Sequence, residues 1–137
     1  MKISSATPVL FVDRVEPTRD FFMKVGFEVM FDVPDGDHLG FVGLHHGDVQ
    51  VMVETRGNSN EPEPVRSLTK ESRRAAIFVE VDDLDAVIAA LEGEKIVVER
   101  HVTFYKADEL TYEEPGGHFI AFAKFDLSCR VVPEPLP

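Results

Sequence analysis

A carboxylate on a strand whose opposite face is core can hold a cation, or act as a general acid or base once burial has raised its pKa. Glu54, in the run VQVMVET, and Glu80, in AIFVE, are candidates for this chemistry. A rim carboxylate standing in water is the plain alternative for each. Valines 49, 51 and 53 alternate with Gln50, Met52 and Glu54, so one face of that strand meets a helix and the other is free for a ligand. Carrying the alternation through the strands at both ends of each half predicts a lining of Val9, Phe11, Gln50, Met52, Glu54, Phe78, Glu80, Phe119 and Ala121. Such a pocket is apolar and aromatic with a few acids, suited to a flat or amphipathic molecule carrying a cationic or hydrogen-bonding group. Phe11, Phe78 and Phe119 can equally be plain core.

Other chemistries find little footing. Of the five histidines, His45 and His46 are adjacent, so they point to opposite faces or sit in a turn and do not chelate. His38 begins a strand, His101 follows one, and His118 comes after Gly116-Gly117, where a polar residue is ordinary; no spacing among them makes a metal site. There is no G-x-S-x-G, no H-E-x-x-H and no phosphate loop, and nothing names a nucleophile. The single cysteine, Cys129, permits no intramolecular disulfide.

The elements that must position these residues are written twice. LFVDRVEPTRDFF (residues 10–22) and VEVDDLDAVIAAL (79–91) share one plan, a short apolar strand, an acidic turn and an amphipathic helix, at an offset of 69. The offset also pairs Thr7 with Ala76, Met52 with Ala121 and Glu54 with Ala123. Two βα units, each too small to bury its own apolar face, predict one pseudo-twofold domain over 1–137 with a cleft between its halves. The first module spans 5–55 and the second 74–126, with a tail at 127–137. In the first, strands are expected at 9–12, 27–31, 38–44 and 49–54, and Gly26 closes the helix that starts near Val15. In the second, strands are expected at 75–81, 96–100, 110–113 and 118–124. There Asp83 caps a helix with Leu84, Val87, Ile88 and Leu91 on one face and Gly93 as its stop. Residues 56–73 collect Pro, Asn, Ser and charge without periodicity, which predicts a mobile flap or crossover rather than an element.

Composition narrows the partners. A chain of 137 residues, 44% apolar and without a bilayer-length apolar run, reads as soluble, and the start MKISSATPVLFV does not read as a secretory signal. Cytoplasmic placement follows by default. Asp and Glu outnumber Lys and Arg by 25 to 14, a net charge of −11, which excludes a nucleic-acid partner and favours cationic small molecules if it serves binding at all.

The order strand, helix, three strands, repeated, resembles the vicinal oxygen chelate superfamily, which includes glyoxalase I, extradiol dioxygenases and bleomycin-resistance proteins. The opening TPVLFVDRVEPTRDFFMKVGFEV is similar to that superfamily's strand, turn, helix and Leu-Gly-Phe ending. The closing ADELTYEEPGGHFIAF is similar to its Asp-Pro-Asp-Gly-Asn turn and last strand, with Glu114 and Gly116 in place of the two aspartates. The Thr7-Pro8-Val9-Leu10 start, the length and the acidity look most like bleomycin-resistance proteins. The resemblance implies an α+β fold of tandem βαβββ modules forming a U-shaped mixed sheet around a cleft. It also implies a homodimer in which Pro8 helps hold an extended arm, and it places Tyr105 at the pocket's border, adding a ring and a hydroxyl. The superfamily's metal ligands would fall at Thr7, Met52, Ala76 and Ala121, none a competent donor for a divalent ion. No metal or cofactor is therefore expected, and the resemblance implies sequestration of a small organic ligand. The rival is a metal-dependent lyase, isomerase or dioxygenase using a shifted site.

Overall fold

The computed structural model describes residues 1–125. Its first strand, β1 (Val9–Val12), buries Leu10 and Val12 and turns Val9 and Phe11 to the other face. In α1 (Val15–Lys24) the residues at helical spacing, Val15, Thr18, Phe21 and Phe22, are buried. The helix stops where Gly26 takes a φ of +95°, its N–H donating to Met23 O. Three strands follow, β2 (Glu28–Asp35), β3 (His38–His46) and β4 (Val49–Thr55), giving a sheet in the order β1-β4-β3-β2. β1 runs parallel to β4 and the other pairs are antiparallel.

The second copy repeats this plan with β5 (Ala76–Glu80), α3 (Leu84–Ala90), β6 (Lys95–Val102), β7 (Ala107–Glu113) and β8 (Phe119–Phe125), in the order β5-β8-β7-β6. Asp83 caps α3 by accepting from Ala86 N–H. The duplication extends to strand register. Val9 pairs with Met52 and Phe78 with Ala121, each member of the second pair lying 69 positions after its counterpart. The chain is thus a tandem of βαβββ modules, each with one four-stranded mixed sheet and few helices.

Several expected boundaries move. β2 extends to Asp35, and β7 begins at Ala107 rather than 110, because pairing continues outward where Asp32, Pro34 and Asp35, or Asp108 and Glu109, interrupt the apolar signal. β8 begins at Phe119, not His118. The stretch 56–73, expected to hold no element, contains a short helix, α2 (Val65–Thr69). Arg56 holds it in place, donating to Thr69 O at 3.4 Å and Ser72 O at 2.6 Å. Those anchors lie too far apart in sequence for local periodicity to reveal them. The tail at 127–137, with Cys129, lies outside the described residues.

By its contacts the described chain forms two compact units, one of 1–75 with 114–118 and one of 76–113 with 119–125. The core of the first joins Leu10, Val12, Phe21, Phe22, Val42, Leu44 and Val53, with Phe22 edge-on to Phe27 at 5.3 Å. In the second, Leu84, Leu110, Tyr112, Ile120 and Phe122 are buried, and Tyr112 meets Phe122 edge-on at 5.9 Å.

The turn 114–118 is a buried polar knot rather than a surface turn. Glu114 is 1% exposed, and its carboxylate accepts from Thr18 Oγ1 at 2.7 Å, Gly116 N–H at 2.7 Å and His118 N–H at 3.0 Å. His118, expected to be an ordinary turn residue, is 2% exposed. Its Nδ1 accepts from Ala75 N–H at 2.9 Å, so the ring proton lies on Nε2, which donates to Phe11 O at 2.8 Å. A carboxyl group and an imidazole are tolerated here because the side-chain oxygens of Glu114 and both ring nitrogens of His118 have partners.

Candidate functional site

On the first unit, register sets three side chains in a row across the sheet. Phe11 of β1, Glu54 of β4 and Phe41 of β3 are paired neighbours, and so share one face. The next row is Val9, Met52 and Gly43, and beyond it His45 pairs with Gln50. Phe41 stacks on Phe31 with centroids 5.6 Å apart and planes 12° from parallel. The Phe31 ring lies over Gly43, where any Cβ would collide with it, so this glycine clears space for an aromatic. Gln50 and Met52 are half-buried, and Thr7 Oγ1 donates to Gln50 Oε1 at 3.3 Å.

Glu54 is the outlier of this face. It is 4% exposed, which removes the rim-carboxylate reading, and its Oε2 is buried without a hydrogen-bond partner. Burial, reinforced by the nearby Glu61 carboxylate, pushes its pKa up to about 7. A buried acceptor left open costs about 1–3 kcal/mol, and such a group is satisfied by a proton, a donor or a cation.

On the second unit, Phe78 shares a row with Ala121 and Thr111, and Glu80 with Ala123 and Glu109. A cavity of about 410 Å³ opens on this unit, lined by Ala76, Ile77, Val97, Val98, Thr111, Phe119 and Ala121. Tyr105 stands in the turn after β6, its ring 6.1 Å from those of both Phe78 and Phe125, and its hydroxyl donates to Glu109 Oε2. Burial, then the bond to Glu109, raises the Tyr105 pKa. Glu80 is exposed, and Phe78 is 49% exposed.

The residues predicted from sequence therefore fall into two sets. Phe11, Gln50, Met52 and Glu54 share one face of the first sheet. On the second sheet, Phe78, Glu80 and Tyr105 gather at one end, while Phe119 lies at the other end beside the cavity. Sequence reasoning missed Phe31, Phe41, Glu61 and Glu109. Gly43 was the available signal for the first two, since a glycine inside a strand often marks a close approach. Glu61 and Glu109 carried none.

The positions at which the superfamily would hold a metal do not fit one. Thr7 offers a lone hydroxyl already bonded to Gln50, Met52 a soft thioether, and Ala76 and Ala121 methyl groups that line the apolar cavity. Among the described residues no three His, Cys, Asp or Glu gather as metal ligands do.

The tandem modules define a class, and the match is direct. The family model of the Glyoxalase/Bleomycin resistance protein/Dioxygenase superfamily covers residues 3–122, and the chain belongs to that superfamily. Solved structures share the fold. A bleomycin-binding protein complexed with bleomycin is 16% identical with a TM-score of 0.63, over 90% of this chain and all of that one. Lactoylglutathione lyase from Agrobacterium tumefaciens is 15% identical with a TM-score of 0.69, over 90% and 96%. A glyoxalase/bleomycin resistance protein/dioxygenase from Nocardioides is 18% identical with a TM-score of 0.70, over 100% and 92%. No curated protein sequence matches significantly. A binder and an enzyme score alike, so the fold does not choose between binding and turnover; the side chains must.

Proposed function

We propose that this protein binds a small organic molecule, aromatic or cationic, without a metal, and sequesters it rather than converting it. The observation that carries this reading is Glu54, a buried carboxylate with an open oxygen set between Phe11 and Phe41. The aromatic rows supply stacking area and the open oxygen supplies orientation. Gln50 and Met52 continue the same face; on the second unit, taken by itself, Phe78, Glu80, Tyr105 and Phe119 are the proposed ligand contacts. The donor-poor set Thr7, Met52, Ala76 and Ala121 supports metal independence. Homodimerisation and a cytoplasmic address belong to the same reading. Exposed apolar side chains on the edge strands, among them Val29, Met30 and Val33 on β2 and Ile96, Val97 and Val98 on β6, support burial against a second chain.

A thermal-shift screen of aromatic and cationic small molecules, with and without divalent metals, tests the function. A compound that stabilises the wild type but not Glu54→Ala is expected. Stabilisation by a divalent metal alone, or a stoichiometric metal in the purified protein, would overturn metal independence. A second reading, in which Glu54 moves a proton during turnover, draws on its pKa near neutrality. It predicts a changed product after incubation with the stabilising compound, where sequestration predicts quantitative recovery.

A further inference from the structure

We infer that Glu54 and Glu61 together form a two-carboxylate grip that selects an organic cation, held between the rings of Phe11 and Phe41. This rests on the small-molecule reading above and names its ligand class. Glu54 supplies a buried oxygen with no partner, aimed from a row whose flanking members are both aromatic. Glu61 comes from the far side of a turn that is strapped to the same sheet. Asn58, 3% exposed, donates through Nδ2 to Gly40 O at 3.0 Å, and its own carbonyl accepts from Glu61 N–H at 3.0 Å. Gly40 immediately precedes Phe41, and a Cβ there would sit 2.8 Å from Asn58 Nδ2. The strap therefore needs glycine at this position, and it brings the half-buried Glu61 carboxylate within electrostatic range of Glu54.

Two like charges held near one another repel, and one of them sits in low dielectric. A neutral ligand leaves that repulsion in place, whereas a cation removes it and lies beside two aromatic side chains, a kind of neighbour that attracts positive charge. The arrangement thus favours an amidinium, guanidinium or substituted ammonium carried on a flat apolar group. A bare metal ion is disfavoured, because the neighbours are rings rather than further oxygen donors.

Benzamidine and its neutral isostere benzamide differ in charge but hardly in shape, which makes them suitable probes. Titrations followed by NMR on the full chain near pH 8 are expected to show benzamidine binding about tenfold more tightly than benzamide. Glu61→Gln, on an accessible turn, should weaken benzamidine about three- to tenfold and leave benzamide unchanged, and Glu61→Lys should weaken benzamidine further. Circular dichroism confirms that each variant is folded. Equal affinity for the two probes, or indifference of benzamidine to both Glu61 variants, would overturn the grip while leaving small-molecule binding intact. Binding of neutral aromatic compounds but of neither probe would do the same. If no aromatic compound of any charge binds, the grip and the reading beneath it fail together.

Discussion

At the scale of single residues, Glu54 links the site to pH. Its folded-state pKa of about 7 lies above the ordinary value of 4.5, because burial and then Glu61 disfavour its charge. Between those two pH values the folded chain keeps a proton that the unfolded chain has released, so this residue's contribution to stability falls as pH rises through the window. Above about pH 7 both states are ionised and the loss levels off at about 3 kcal/mol. Glu54→Gln is expected to flatten the decline in urea midpoint between about pH 5 and pH 8, with the larger gain over wild type at the higher pH. Cation binding has the opposite slope, strengthening up to about tenfold per pH unit below 7 as the competing proton leaves. Thr18 makes a second residue-level case. It is fully buried and donates to Glu114 at 2.7 Å, so Thr18→Val keeps the volume but strips a buried carboxylate of one donor. A loss of about 1.5–3 kcal/mol is expected in chemical denaturation.

At the scale of elements, the decisive contacts join segments distant in sequence. The turn after β4 is tied to β3 through Asn58 and to β2 through Ser59, whose N–H donates to Asp35 Oδ2 at 3.1 Å. Gly40→Ala would push a methyl group against Asn58 and Asp35, with atoms at 2.8 and 2.7 Å. It should cost about 1–3 kcal/mol and swing Glu61 away, lowering stability and cation affinity together. A variant that lost stability but held benzamidine as tightly as wild type would show that the strap does not position the grip. His118 works on β1 in a similar way, since its Nε2–H holds the carbonyl of Phe11, whose ring flanks Glu54.

At the scale of the whole molecule, charge and association matter. The net charge of −11 draws cations over distances longer than any contact, so the affinity for benzamidine should fall several-fold as ionic strength rises from about 10 to about 150 mM. Benzamide should not respond. Sedimentation equilibrium is expected to give twice the chain mass of 15.3 kDa, with the apolar edges of β2 and β6 as the surface to perturb. Val33→Lys with Val98→Lys should then yield monomers; a wild-type chain that sediments as a monomer at micromolar concentration would sink the dimer. No helix among the described residues is long and apolar enough to cross a membrane.

Much of the fold was legible in the residues alone. The 69-residue offset, read from two apolar strands and two amphipathic helices, reappears in the register of both parallel pairs, because one βα plan buries one kind of face. Period-two alternation also placed Gln50, Met52 and Glu54 on one face. What alternation cannot state is depth. Glu54 and Glu80 each alternate with apolar neighbours along a strand, yet Glu54 is buried between Phe11 and Phe41, while Glu80, in a row with Ala123 and Glu109, is exposed. The difference lies in which strands pair alongside, and no local window contains that. Glu114 and His118 read as turn residues for the same reason, since Thr18, Ala75 and Phe11, which satisfy them, lie 43 to 107 positions away. Sequence determined which residues share a face; tertiary structure decided which of them lose their water, and the cost of burying charge follows from that.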